Sequence, residues 1–192
     1  MANGLEPVCH IYCIYCMRPN KLYHISDQPR IGTFEPRPAH FYSGIIRRNV
    51  VFAITDTLLH NYLLPRDCPR ITYYAGRGTS SDDKTRFFGF SAAKYIITVE
   101  SGWLHEIQRA ILYSYEFPME TFSLFDRNAG YYISYKPVTP LSVRPIYNVM
   151  EELLKRNVEL RFTPELNSLA GAVASSTLHF SLIRMQNPAA PI

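Results

Sequence analysis

The chain has 192 residues, which is the length of one ordinary domain. Its composition, with 47% hydrophobic and 14% aromatic residues and a net charge of only +4, excludes disordered, coiled-coil and collagen-like proteins. It has neither an apolar run of about 18 residues nor the pattern of a secretory signal, so we expect a soluble cytoplasmic protein that does not associate with membranes.

The N-terminal segment contains three of the four cysteines. Cys9, Cys13 and Cys16 have the Cys-x3-Cys-x2-Cys spacing that can hold an iron–sulfur cluster, and with His10 they could also supply four zinc ligands. The rest of the chain lacks the glycine-rich run and repeated strand–helix units of a radical enzyme. We therefore expect residues 1–20 to be a poorly ordered leader that binds no metal. The run that begins at Met17 has the pattern of a natural start to the first strand. A metal-binding protein that uses these cysteines and His10 is the second alternative function.

Short strands and helices are expected from residue 21 onward. Runs of β-branched and aromatic residues predict strands at 21–26, 49–55, 71–75, 94–100, 111–117, 131–138, 141–146, 158–163 and 179–185. Helical spacing of apolar residues predicts helices at 56–64, 102–110, 147–157 and 164–175, the first of them capped by Asp56. Glycine and proline predict loops at 27–48, 76–85 and 118–130.

Many of these strands follow one another without a crossover helix. Such an order is typical of a mixed or antiparallel α+β fold. We expect one globular domain over residues 21–187, followed by a tail at 188–192. Cys68 is expected to be a small buried hydrophobic residue rather than a nucleophile.

Cations are concentrated in the first half of the chain. Residues 18–88 contain eleven Lys or Arg against six Asp or Glu, whereas residues 89–192 contain nine of each. Fifteen of the twenty cations are Arg, whose planar fork suits phosphate and carboxylate groups. A nucleic-acid-binding domain usually has a denser basic cluster. We therefore expect a small-molecule ligand before a nucleic acid, and the sequence does not indicate an oligomeric state.

Five short segments carry a resemblance to known families. They are Leu-Tyr-His-Ile-Ser at 22–26, Val-Val-Phe-Ala-Ile-Thr at 50–55, Pro-Arg-Asp-Cys-Pro-Arg at 65–70, Ala-Gly-Tyr-Tyr-Ile-Ser at 129–134 and His-Phe-Ser-Leu-Ile-Arg-Met at 179–185. In this order they resemble a bacterial family of unknown activity over most of residues 20–187. The first three segments are also similar to the ADP-ribosyltransferase superfamily, in particular its DNA-modifying DarT branch.

The second resemblance implies a split antiparallel sheet that holds NAD+ in a cleft without a metal. NAD+ would be a substrate whose nicotinamide–ribose bond is cleaved through an oxocarbenium-like state. His24 would hold the ribose hydroxyls, the Ile25 backbone would hold the nicotinamide amide beside Ser26, and Arg66 or Arg47 would neutralise the pyrophosphate. The aromatic platform for nicotinamide would be one of three residues, namely Tyr73, Tyr74 or Tyr62.

The catalytic carboxylate is the assignment that the sequence supports least. Glu116 is our choice over Glu100 and Glu120, but none of the three lies in the superfamily's glutamate-bearing motif. A domain that keeps the fold and lacks the acid would bind its ligand without turnover. The first alternative function is therefore a binding module for a small molecule or partner, and His24, Arg66 and the tyrosines also suit ordinary structural roles.

Overall fold

The computed structural model describes residues 21–39, 44–127 and 129–187. The leader expected at 1–20, with its cysteine cluster, lies outside the described residues, as does the tail expected at 188–192. Among the described residues, no helix is long and apolar enough to cross a membrane.

Ten strands and four α-helices make up about half of the described chain. The strands are β1 (Leu22–Ser26), β2 (Val51–Thr55), β3 (Arg70–Tyr74), β4 (Tyr95–Glu100), β5 (Leu112–Phe117), β6 (Ser123–Asp126), β7 (Tyr131–Ser134), β8 (Ser142–Ile146), β9 (Val158–Thr163) and β10 (His179–Ile183). The helices are α1 (Ser81–Phe88), α2 (Leu104–Arg109), α3 (Val149–Lys155) and α4 (Asn167–Ala174). Two 3-10 helices, Asp56–Tyr62 and Ser101–Trp103, precede β3 and α2.

The larger sheet has six strands in the order β6-β7-β2-β1-β5-β8, and every neighbouring pair is antiparallel. Successive side chains of a strand point to opposite faces, and directly paired residues point to the same face. Leu22 and His24 of β1 therefore share one face with Tyr115 of β5, whereas Tyr23 shares the other face with Glu116. This alternation decides which candidate residues can meet.

The smaller sheet has four strands in the order β10-β3-β4-β9. Its β4 and β9 are parallel, while its other two pairs are antiparallel. The protein is thus an α+β fold with mixed and antiparallel sheets and short helices, as the order of strands predicts.

Two buried clusters cover the two faces of the larger sheet. The main core joins the Tyr23 face to β4 and α3 through residues such as Ile54, Ile97 and Leu153. The opposite face, which carries Leu22 and His24, is covered by aromatic and aliphatic side chains of the long loop before β2, including Phe34. His24 therefore lies under this loop and away from the contact between the two sheets.

Three expectations about secondary structure were wrong. Residues 81–85, expected within the loop at 76–85, belong to α1, whose N-cap residue Ser80 accepts a hydrogen bond from the backbone N–H of Asp83. Residues 123–126 form the edge strand β6 instead of a connection. Asp56 does not cap the helix after β2, because it is the first residue of a 3-10 helix whose N-cap residue, Thr55, makes no side-chain capping bond.

Candidate functional site

The central strands β1 and β2 are hydrogen-bonded only near one end. Their register contains Leu22 with Thr55 and Tyr23 with Ile54, and it stops there, although β1 continues to Ser26. Beyond this point the ring of His24, on β1, reaches across to β2. Its Nδ1 lies 3.0 Å from the carbonyl oxygen of Phe52. A side chain thus takes a place that the backbone ladder leaves open.

The Phe52 contact fixes the tautomer of His24. A carbonyl oxygen only accepts hydrogen bonds, so Nδ1 must carry the proton, and Nε2 of the neutral ring keeps its lone pair. Burial lowers the pKa of His24, the Phe52 carbonyl opposes that shift, and the positive charges of Arg66 and Arg37 add to it. The imidazole is therefore neutral at pH 7, with Nε2 as a hydrogen-bond acceptor.

Aromatic rings fix the orientation of the His24 side chain. Its ring centroid is 4.9 Å from that of Phe34, in the loop above, and 6.1 Å from that of Phe117 on β5. Phe34 also packs edge-on against Tyr115 and Phe117. A ring held on two sides and hydrogen-bonded on a third presents its remaining nitrogen in one direction.

Tyr115 anchors the loop over His24. Its buried hydroxyl donates to the carbonyl of Gln28 at 2.6 Å and accepts from the backbone N–H of Ile31 at 3.1 Å. These two bonds tie residues 28–31 to the face of the sheet on which His24 lies. Tyr115 is therefore a positioning residue for this site.

We expect Tyr115→Phe to reduce the free energy of unfolding by about 1–3 kcal/mol, because two part-buried hydrogen bonds of about 0.5–1.5 kcal/mol each are lost. Chemical denaturation measures this loss. Tyr113, two residues earlier on the same strand face and half-buried, provides the matched control, and Tyr113→Phe is expected to change stability by less than about 0.5 kcal/mol. Equal effects of the two variants would contradict the anchoring role.

Arg66 is the predicted cationic residue that lies near His24. It is exposed, and its charge lowers the pKa of His24, as does that of Arg37. Arg47 is exposed in the segment that precedes β2. Ser26 shares the His24 face of β1 and accepts a hydrogen bond from the backbone N–H of Gln28, whereas the Ile25 side chain packs into the main core on the opposite face. The backbone of Ile25 lies where β1 and β2 no longer pair.

The segment that carries Arg66 is held by the buried Arg70. Its guanidinium donates to the carbonyls of Asn61 at 2.8 Å, Pro65 at 3.2 Å and Cys68 at 2.9 Å. Burial is the main cause that lowers the pKa of Arg70, but a guanidinium pKa starts so high that the group stays charged. Arg70 therefore holds the segment 61–68 through three backbone carbonyls.

Two residues that follow β10 also contact this segment. Arg184, just after β10, lies 4.0 Å from the carboxylate of Asp67, and Asn187 donates to the Asp67 carbonyl at 3.4 Å. Cys68 is fully buried, and burial raises the pKa of its thiol to about 12. It is the small buried residue that the sequence predicts, and its thiol stays protonated at pH 7.

Glu116 does not meet His24. It pairs with Tyr23 on the face of the sheet opposite His24, and its carboxylate lies 3.0 Å from the ammonium of Lys21 and within 3.4 Å of the Ser142 hydroxyl. The two strands are neighbours, but the two side chains point to opposite faces of the sheet. The structure therefore does not bring together the two residues that we expected to share catalysis.

The three tyrosines expected as a nicotinamide platform lie in different places. Tyr73 is 1% exposed in the smaller sheet, and its hydroxyl donates to Phe87 and accepts from Arg161, so neither ring face is accessible. Tyr74 stacks on His179 with ring centroids 5.1 Å apart. Tyr62 follows β2, its hydroxyl contacts that of Tyr131, and the Tyr131 ring lies 6.0 Å from that of Phe52.

Tyr62 and Tyr131 pack in the main core on the Tyr23 face of the larger sheet, so Tyr62 lies on the face opposite His24. The Phe52 carbonyl and the Tyr115 hydroxyl were missed by sequence reasoning. Phe52 lies 28 residues from His24 in the sequence, and Tyr115 lies about 85 residues from the loop that its hydroxyl holds. In the described segments no group of three or more His, Cys, Asp or Glu is arranged to hold a metal ion.

Comparison with known proteins identifies a family but does not identify an activity. A model described as a family of unknown function, DUF6886, matches residues 23–188, which include β2 to β10 and all of β1 except Leu22. Neither the curated proteins nor the solved structures contain a match to this chain. No comparison connects the chain to the ADP-ribosyltransferase superfamily, so that resemblance stays a prediction. Because the match spans most of its length, the chain belongs to the DUF6886 family.

Proposed function

We propose that this protein binds NAD+ at the point where β1 and β2 separate. One observation carries the proposal: His24 is a neutral imidazole whose Nδ1–H donates to the Phe52 carbonyl, which leaves Nε2 as an acceptor near the positive charges of Arg66 and Arg37. An acceptor nitrogen within electrostatic range of two guanidinium groups matches a ligand that has hydroxyl donors next to anionic groups. A nucleotide has this arrangement.

Each part of the ligand has a partner of suitable chemistry. A ribose hydroxyl donates to Nε2 of His24, which at pH 7 has a lone pair and no proton. The pyrophosphate carries negative charge toward Arg66, whose planar fork binds phosphate oxygens in pairs. The backbone of Ile25 and Ser26, at the end of β1 where the pairing with β2 has stopped, supplies groups for the nicotinamide amide. This is the arrangement that the ADP-ribosyltransferase resemblance implies.

Cleavage of the nicotinamide–ribose bond requires more than binding. An oxocarbenium-like state needs a negative charge close to the ribose. Glu116 lies on the other face of the sheet and is paired with Lys21, so it does not supply this charge beside His24. This geometry favours a second candidate function, in which the same site binds its ligand and turns nothing over. Release of free nicotinamide separates the two candidates.

The test is to titrate NAD+ into the full chain and follow its thermal unfolding. A ligand that binds only the folded state stabilises it by about 2.7 kcal/mol at a concentration of 100 times its Kd. We expect this stabilisation for the wild type, and an affinity reduced about tenfold in His24→Ala, because a buried acceptor is lost. Arg66→Gln should weaken binding by a similar factor, more so at low salt.

The matched control for Arg66 is Arg77, an exposed arginine in the loop between β3 and α1. Arg77→Gln is expected to bind NAD+ as the wild type does. If NAD+ fails to raise the unfolding temperature of the wild type, or if His24→Ala and Arg77→Gln bind it equally well, the proposal is wrong.

A further inference from the structure

An open cleft lies beside the proposed NAD+ site, with a volume of about 360 Å³. Its walls come from three places: the residue after β1, the segment after the first 3-10 helix, and helix α2 with the start of β5. Arg66 lines this cleft and also acts on His24. The volume is at the lower end of the range for ligand-binding pockets, about 300–1,000 Å³.

Charged side chains of both signs line the cleft. Arg66 and Arg109 line the same space as Asp27 and Glu106, and His105 is part of the same lining. All five side chains are exposed. No ion pair of the described residues includes any of them. Charges of opposite sign thus share one cleft without neutralising each other at contact distance.

The remaining lining is apolar. Ile111, which is 45% exposed, and Pro65 contribute aliphatic surface, and Ala110 and Leu112 complete it. An exposed isoleucine within a concave surface gains free energy when an apolar group covers it. The cleft therefore offers an apolar area flanked by separate cations and anions.

We propose that this cleft is a second binding site, for a zwitterionic ligand with an aliphatic stem. The ligand's carboxylate meets Arg66 and Arg109, its ammonium group meets Asp27 and Glu106, and its methylene groups cover Ile111. Free amino acids whose ammonium lies several methylene groups from the carboxylate, as the ε-ammonium of lysine does, have this chemistry, and so do peptide segments in which a lysine lies near an acidic residue. This site goes beyond the proposed NAD+ site and does not require it.

Nucleic acid fits the same cleft poorly. Its phosphates carry one sign of charge, and the carboxylates of Asp27 and Glu106 would repel them as strongly as the two arginines attract them. Sites for polyanions neutralise phosphates with Lys and Arg and avoid nearby carboxylates. The balanced charge of the cleft is the reason for choosing a zwitterion.

Three probes of equal length test this proposal with the full chain. 6-Aminohexanoate has both charged ends, hexylamine lacks the carboxylate, and hexanoate lacks the ammonium group. Calorimetric titration should give a Kd for 6-aminohexanoate at least about tenfold lower than for either singly charged probe, because each lost end removes a charge-assisted contact. A tripeptide, Gly-Lys-Glu, is the arm that distinguishes a peptide source from a free amino acid.

Two variants locate the binding. Arg109→Gln should remove the advantage of 6-aminohexanoate over hexylamine, and Glu106→Gln its advantage over hexanoate, whereas the control Arg77→Gln should keep both. Equal affinities for the three probes, or an oligonucleotide that binds more tightly than any of them, would overturn the proposal.

Different results would refute the proposal of this second site and the proposal of the NAD+ site. Arg109→Gln is expected to leave the affinity for NAD+ unchanged, and His24→Ala that for 6-aminohexanoate. Arg66→Gln should weaken both ligands, since Arg66 borders both places. A wild type that binds NAD+ and shows no preference among the probes would refute the second site alone.

Discussion

Arg70→Leu is expected to lower the free energy of unfolding by about 3 kcal/mol, because hydrogen bonds from a charged donor contribute about 1.5–3 kcal/mol each and part of this is offset by the cost of burying the charge. The guanidinium is 2% exposed and donates to three carbonyls that belong to the segment 61–68. A leucine leaves these carbonyls without this donor. Chemical denaturation measures the loss.

Arg66, four residues earlier on the same segment, provides the control. Its side chain is exposed and outside every ion pair of the described chain, so Arg66→Leu should change the stability by less than about 0.5 kcal/mol. Arg70→Leu should also weaken NAD+ binding, since Arg70 holds the segment that carries Arg66. Similar stabilities of the two variants would show that Arg70 does not organise this segment.

Acid should destabilise the protein through the buried His60. Its side chain is 1% exposed and packs on Tyr95 with ring centroids 4.0 Å apart, and its Nε2 has no hydrogen-bond partner among the described residues. Burial is the main cause that lowers the pKa of His60 from 6.5 to about 4, and the charges of Arg156 and Lys94 lower it further. The folded protein therefore holds this imidazole neutral.

The sign of the effect follows from proton binding. Between pH 6.5 and 4 the unfolded chain takes up a proton at His60 and the folded chain does not, so stability falls as the pH falls. A difference of 2.5 pKa units corresponds to about 3 kcal/mol, fully present above pH 6.5 and lost near pH 4. Free energies of unfolding measured at several pH values should follow this curve.

The variant His60→Phe tests the assignment. Phenylalanine keeps the ring that packs on Tyr95 and removes both the titration and the unpartnered nitrogen. Its stability should vary less with pH, and the remaining slope should reflect His24 and carboxylates such as Glu152 and Glu159, whose pKa values are lowered as well. An unchanged slope between pH 6.5 and 4 would contradict the role of His60.

Strands and helices with clear apolar patterns could be predicted from the sequence, and short polar elements could not. Val51–Thr55 and Tyr95–Glu100 contain runs of β-branched and aromatic residues, which favour a strand over a helix. Ser81–Phe88 carries six polar residues before its two phenylalanines and follows two glycines, so composition favoured a loop. Ser80 three residues before Asp83 is a capping pattern that predicts this helix start. The strand Ser123–Asp126 has only four residues and lies at the sheet edge.

The candidate site could be predicted only in part, because it depends on pairing between distant strands. A motif placed His24 on the first strand, and the structure shows what fixes it, the Phe52 carbonyl. Glu116 seemed suitable because it lies on a strand, but its face follows from the register between β1 and β5, which local sequence does not contain. Tyr73 is buried because β3 is a central strand, and strand order is also a property of the whole fold.

The nitrogen resonances of His24 show directly whether its ring is the acceptor for a ribose hydroxyl, in protein labelled with 15N at histidine and assigned by comparison with His24→Ala. We expect a neutral ring with the proton on Nδ1 at pH 7, and a change in the Nε2 resonance when NAD+ is added. A proton on Nε2, or an Nε2 resonance that does not move with NAD+, would contradict the assignment of His24 as the acceptor for a ribose hydroxyl.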